Sequence, residues 1–89
     1  MYNSLMKISF SERALTVVAG IPRGKTLSYE QVAVLAGSPR AYRAVGNIMN
    51  KNENPNVPCH RVIKSDGTVG GYAHGTAKKK AILKREGAL

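Results

Sequence analysis

Gly37 stands between two short apolar stripes, each opened by a residue able to cap a helix, and this arrangement restricts the fold more than any other feature of the chain. Before it, Ser28 and Gln31 have the spacing of a reciprocal capping box ahead of Val32, Ala33, Leu35 and Ala36, which predicts a short helix that Gly37 ends. After it, Ser38 can cap another helix with Pro39 at the first position, where a missing N–H costs nothing; that helix continues through Arg40, Tyr42, Arg43, Val45, Ile48 and Met49. Helix, glycine turn, helix is the order of a helix-turn-helix. Ser9 and Glu12 repeat the capping spacing ahead of Ala14, Leu15, Val17 and Val18, so a further helix is predicted over Phe10–Ala19, stopped by Gly20-Ile21-Pro22-Arg23-Gly24.

The second half reads differently. Asn50 to Pro58 is rich in Asn and Pro, and both Asn54-Pro55 and Val57-Pro58 disfavour helix, so a shaped loop is expected there. Val62 to Val69 reads as a β-hairpin about Asp66-Gly67, and the glycine-rich stretch Gly70 to Gly75 follows. Thr76 can cap a last helix containing Ala77, Ile82 and Leu83, with Lys84 and Arg85 in its final turn and Gly87 beyond it. With 89 residues and no repeat or interdomain linker, one domain over 1–89 is expected, with 1–8 as a short leader. The expected fold is α+β and mostly helical, a winged-helix-like domain with a helix-turn-helix and a small β-hairpin.

Fourteen Lys and Arg against five Asp and Glu give a formal charge of +9. On so small a domain that field favours nucleic acid or an anionic membrane surface. No apolar run approaches the roughly 20 residues of a membrane-spanning helix, and no secretory signal is visible at the start, so a cytoplasmic protein is expected. Ser38, Arg40 and Arg43 lie in the half of the predicted third helix that such a helix points toward DNA, and Tyr29 opens the helix before it.

Cys59 is the only cysteine, so no intramolecular disulfide is possible and the thiol is available for chemistry. Pro58-Cys59-His60-Arg61-Val62 puts it beside an imidazole and a guanidinium, both able to favour a thiolate. Metal binding is not indicated, because one Cys and the two histidines His60 and His74 lack the spacing of a structural zinc site.

That pentapeptide is accompanied by Ile21-Pro22-Arg23-Gly24-Lys25-Thr26, Ser28-Tyr29, Arg43-Ala44-Val45-Gly46, Gly70-Gly71-Tyr72 and Glu86-Gly87. Together they closely resemble the active domain of the O6-alkylguanine-DNA alkyltransferases, from about Phe10 to Gly87. The resemblance implies that Cys59 is the one-use acceptor of an alkyl group from O6 of guanine in DNA. It implies that His60 draws off the thiol proton through a water, and that Glu86 orients His60. Tyr29 and Arg43 match the pair that flips the nucleotide, Arg43 filling the vacated space and Tyr29 crowding the 3′ phosphate and donating a hydrogen bond to guanine N3. The carbonyls of Cys59 and Val62 match groups that face the guanine amino group, and the amide of Ala73 one that faces O6. Tyr72 matches an aromatic wall, Gly70 and Gly71 a close backbone approach, and Lys79 a lysine near the pocket rim; the alternative is that Lys79 and the flanking Lys78 and Lys80 all meet phosphate.

Asn52 corresponds to a hinge asparagine joining the recognition helix to the active-site loop. The segment from Asn52 to Cys59 is one residue shorter than in many relatives, so Asn54 is an alternative for that role. Ala73 and His74 replace residues that are often Ser and Gly, which can narrow the pocket. The usual N-terminal α/β domain has no counterpart in this sequence. No soluble cofactor is implied; the implied partner is double-stranded DNA carrying O6-alkylguanine, entered from the minor groove with little sequence preference by a monomer that binds no membrane. The alternative is a non-enzymatic alkyltransferase-like lesion-binding protein that recruits other repair factors; a plain helix-turn-helix regulator is a third reading.

Overall fold

The computed structural model describes residues 8–70 and 75–89. The expectations placed on Tyr72, Ala73 and His74 lie outside the described residues. Helix α1 spans Phe10–Ala19, with the Ser9 side chain accepting the Glu12 N–H at 3.1 Å and Ala14 and Val18 buried. A two-residue strand, β1 at Leu27–Ser28, leads directly into α2 at Tyr29–Leu35. Here the capping box is reciprocal: Ser28 Oγ accepts from Gln31 N at 3.0 Å and Gln31 Oε1 accepts from Ser28 N at 2.8 Å. At the far end the Gly37 N–H bonds the Val34 carbonyl and the Ser38 N–H bonds the Ala33 carbonyl, a closure that needs the left-handed φ of +88° at Gly37.

That closure shifts the start of the next helix. Helix α3 spans Tyr42–Lys51, its N-cap is Ala41, and no side chain caps it. Ser38 is occupied in ending α2, and its carbonyl accepts the Ala41 N–H at 2.9 Å, so Ser38 to Ala41 form a turn. Arg40 therefore lies before α3 rather than in it. Val45 and Met49 bury the inner face of α3 against α1 and α2.

A turn of 3₁₀-helix, Cys59–Arg61, follows the Asn-rich loop and leads into β2 at Val62–Ile63. The sheet is not the expected hairpin. β2 pairs in parallel with β1, Leu27 opposite Val62 and Ser28 opposite Ile63. The hairpin survives as its tip: Lys64 N donates to Thr68 O at 2.9 Å and Gly67 N to Lys64 O at 3.0 Å, with Gly67 at a φ of +89°. The Asp66 carboxylate then takes both the backbone N–H and the hydroxyl of Thr68, and no second strand extends among the described residues.

Helix α4 spans Thr76–Arg85; its N-cap is Gly75, at a φ of +95°, and the Thr76 hydroxyl turns to the Gly70 carbonyl instead of capping. Gly87 N to Lys84 O and Ala88 N to Leu83 O close its far end in the pattern seen at Gly37. Leu83 is fully buried, and α4 packs chiefly on the 3₁₀ turn. The architecture is α+β and winged-helix-like, with Cys59 inside the main core cluster beside Val45, Met49 and Val62. Among the described residues no helix is long and apolar enough to cross a membrane.

Candidate active site

The backbone folds tightly around Cys59, with Cys59 N donating to Val57 O at 2.8 Å and Arg61 N to Pro58 O at 2.9 Å. With three residues per 3₁₀ turn, a side chain facing inward leaves its two successors on the outer side of the turn. Cys59 points inward and is 5% exposed, whereas His60 and Arg61 both turn toward Glu86. The neighbours expected to favour a thiolate are thus directed elsewhere. Burial pushes the Cys59 thiol up; a hydrogen bond from Asn52 and the charge of Lys79 work against that without reversing it. At neutral pH the sulfur therefore keeps its proton until a base removes it.

Asn52 is the C-cap of α3, and its Nδ2 donates to Cys59 Sγ at 2.9 Å. Its Oδ1 accepts the Asn54 N–H at 3.3 Å, while the Asn54 side chain serves only the next turn, accepting from Asn56 N at 2.9 Å. Of the two asparagines left open by the sequence, Asn52 is the one that meets the sulfur.

Glu86 is the C-cap of α4, where a carboxylate opposes the helix dipole. A fork from Arg61 compensates: Nε to Oε1 at 3.0 Å and Nη2 to Oε2 at 2.7 Å. His60 Nε2 lies 3.0 Å from each carboxylate oxygen. The Arg61 hydrogen bonds, followed by those and the charge of His60, outweigh burial and hold the Glu86 carboxyl down at about 2. With Nε2 committed to Glu86, Nδ1 is the ring nitrogen left to accept a proton. The sequence pointed Arg61 at the thiol and not at Glu86, where it is found. The available signal was the acid at the wrong end of a helix, which needs a cation.

Lys79 departs furthest from expectation. It is 1% exposed and turned inward, where Nζ donates to the Val62 carbonyl at 2.6 Å and to the Tyr29 hydroxyl at 3.3 Å. It also lies 5.5 Å from the centroid of the Tyr29 ring. Burial brings its ammonium down to about 8, against the opposing pull of Cys59. Its neighbours Lys78 and Lys80 are exposed. The Tyr29 phenol is pushed up by burial and then by the Cys59 charge. Gly70, at a φ of +72°, leaves room for Tyr29: a Cβ there would stand 3.0 Å from the Tyr29 hydroxyl. The Val62 carbonyl already accepts from Lys79 and the Cys59 carbonyl from the Val62 N–H, leaving each one further lone pair.

Lys79→Met is expected to slow alkylation of Cys59 by iodoacetamide at neutral pH by on the order of tenfold. Loss of a nearby cation raises a thiol by roughly one to three pH units, and the greater nucleophilicity of a less acidic thiolate recovers about half of that in rate. Unchanged reactivity in a folded Lys79→Met protein would show that the ammonium does not act on the sulfur.

Cys59, His60 and Asn52 share a cleft of about 510 Å³ with Arg61, Lys78, Ile82 and the loop from Glu53 to Pro58. Tyr29 lines a separate cleft of about 400 Å³ with Tyr42, Gly46, Lys64 and the hairpin tip. Lys79 joins Tyr29 to the Val62 carbonyl, three residues beyond Cys59, a link the sequence does not announce. Arg43 is exposed on α3, and Arg40 is exposed in the turn formed with Ser38.

A family model described as the 6-O-methylguanine DNA methyltransferase, DNA binding domain, matches residues 9–88. The chain is 49% identical over 80 residues to the methylated-DNA–protein-cysteine methyltransferase of Methanothermobacter thermautotrophicus, covering 88% of this chain and 44% of the relative. It thus spans less than half the length of that relative. The fold is similar to Mycobacterium tuberculosis OGT in complex with DNA, with a TM-score of 0.83 and 40% identity over 89% of this chain and 49% of that one. It is also similar to S. pombe Atl1 in complex with damaged DNA containing O6-carboxymethylguanine, with a TM-score of 0.78 and 33% identity over 88% of this chain and 75% of that one.

Proposed function

The chain belongs to the family of 6-O-methylguanine DNA methyltransferase DNA-binding domains, and on that premise we propose that it repairs O6-alkylguanine in duplex DNA by taking the alkyl group onto Cys59 in one irreversible turnover. The observation that carries the reading is a nearly buried thiol, 5% exposed, followed directly by a histidine whose Nε2 is engaged by Glu86. A thiol held protonated by burial needs a base, and a histidine with one nitrogen committed to a carboxylate presents the other as that base.

The reaction divides among named residues. The Cys59 proton passes through a water to His60 Nδ1. The sulfur attacks the alkyl carbon, the S–C bond forms as the C–O6 bond breaks, and the electron pair stays with guanine, which returns to its neutral form on regaining a proton. Tyr29 donates a hydrogen bond to N3 and so stabilises the departing base, and the ammonium of Lys79 on the Tyr29 hydroxyl strengthens that donor. Asn52, bonded to the sulfur, joins α3 to the reacting turn. The carbonyls of Cys59 and Val62, with Tyr72, Ala73 and Gly70, form the base pocket.

The target carbon is inaccessible in stacked duplex, so the nucleotide is flipped out, with Arg43 entering the space it leaves. α3 enters the minor groove, Ser38 and Arg40 approach the backbone, and Lys78 and Lys80 meet phosphate, so affinity depends on salt and hardly on sequence. On this reading the protein acts as a monomer in the cytoplasm and without a soluble cofactor.

The test incubates stoichiometric protein with duplex carrying O6-methylguanine and measures intact mass. A gain of one CH₂ on the Cys59 peptide is expected, and no gain would overturn the reading. The likeness to S. pombe Atl1 favours a second reading, lesion binding without transfer. Tight binding to the lesion that Cys59→Ala leaves unchanged, with no mass gain in the parent, would establish it instead.

A further inference from the structure

Arg61 is placed for more than neutralising Glu86. Its fork takes both Glu86 oxygens, and its remaining Nη1 donates to the Ile21 carbonyl at 2.8 Å. One guanidinium thus ties together the 3₁₀ turn, the end of α4 and the segment that follows α1. Both acidic oxygens are shared between Arg61 and His60, and the Glu86 side chain is 7% exposed. The closure of α4 through Gly87 brings the carboxylate to this point, and the Arg23 guanidinium on the Arg85 carbonyl supports the same end.

Without Arg61, Glu86 would face the helix dipole with the His60 ring as its only side-chain partner among the described residues. Its charge would then act undivided on the imidazole, and a carboxylate beside an imidazole favours the protonated ring. A ring that already holds a proton on each nitrogen cannot accept one from sulfur.

We propose that Arg61 is a positioning residue for Cys59 chemistry, its anchored fork setting the plane of the Glu86 carboxylate that orients His60 and sharing that carboxylate's charge with the ring. This inference rests on the alkyl-acceptor reading above. The charged and titratable groups that share a contact or the cleft with His60 among the described residues are Glu86 and Lys78 from α4, Cys59 and Arg61 from its own turn, and Glu53 from the loop. Of these, Arg61 alone forks onto Glu86, so removing it changes the charge sensed by the ring while leaving the other groups in place.

The test compares the parent protein with Arg61→Gln and Arg61→Lys, measuring the rate of Cys59 modification by iodoacetamide between about pH 5 and 9. In Arg61→Gln the rate at neutral pH is expected to fall roughly tenfold, with the acid limb of the profile moving up by about one pH unit. Arg61→Lys keeps the charge and loses the fork, so it is expected to be several-fold slower with its acid limb unmoved. Coincident limbs in the parent and Arg61→Gln would overturn the proposal, since a merely structural residue lowers the amplitude without moving the limb. If Arg61→Gln does not fold, Arg61→Lys decides, and full parental rate there would overturn the role of the fork. Iodoacetamide needs no DNA, so a shifted limb together with no methyl uptake from O6-methylguanine duplex would leave Arg61 its role and remove the repair reading alone.

Discussion

Arg43→Ala is expected to slow alkyl transfer from O6-methylguanine in duplex DNA by on the order of a hundredfold, and to leave transfer from the free base O6-benzylguanine within about twofold. Extruding a nucleotide costs a few kcal/mol, and a side chain that fills the gap needs to offset only about 2.7 kcal/mol of that to account for a hundredfold in rate. Arg43 is exposed on α3 and the sulfur lies in the core, so the substitution removes nothing from the cleft around Cys59. Exposed substitutions of this kind change stability by only about 0.5 kcal/mol, which keeps the comparison free of unfolding. Single-turnover rates on the two substrates decide the matter. Equal losses on both would remove Arg43 from base flipping.

Glu86→Gln is expected to show the other large effect, in stability and in its pH dependence. The carboxyl titrates at about 2 in the folded protein against 4.5 ordinarily, with Arg61 as the main cause. A group whose folded value is depressed contributes stability above its unfolded value and loses it as pH falls through the folded one. The contribution is therefore complete above about pH 4.5 and gone near pH 2; the displacement corresponds to on the order of 3 kcal/mol. In urea unfolding at neutral pH the variant should be weaker by about that amount, because Arg61 is left in a largely enclosed site without its anion. The gap between parent and variant should narrow steadily as pH is lowered from 4.5 to 2. A gap that stays constant across that window would show that Glu86 is not held by charge.

The parts of this molecule written as local chemistry were legible in the sequence. Ser9 with Glu12 and Ser28 with Gln31 cap the helices they were expected to cap, and Gly37 and Gly87 end theirs, because each device needs only residues within a few positions of one another. The start of α3 was misjudged because Ser38 serves two neighbours, and ending α2 took precedence over capping α3. The parallel pairing of Leu27 with Val62 could not be read, since two residues carry no periodicity and the partner lies far along the chain.

The site divides in the same way. The order of Cys59, His60 and Glu86 became meaningful through a family resemblance, while adjacency to His60 and Arg61 suggested an acidified thiol that burial does not allow. Lys79, in a run of three lysines, gave no sign that it is the one turned inward. Only the packing of α4 on the 3₁₀ turn decides which lysine is enclosed.

The short pairing of β1 with β2 bears on how such a protein can diversify. Tyr29 follows directly on Ser28, and Val62 lies three residues beyond Cys59, so the rung joining Leu27 to Val62 sets the spacing between phenol and sulfur independently of the loops around them. The Asn-rich loop on one side and the hairpin tip on the other can then lengthen or shorten as interchangeable cassettes. On the proposed reading, substrate breadth would then rest with the walls of the cleft, while two residues of paired backbone hold phenol and sulfur at one spacing.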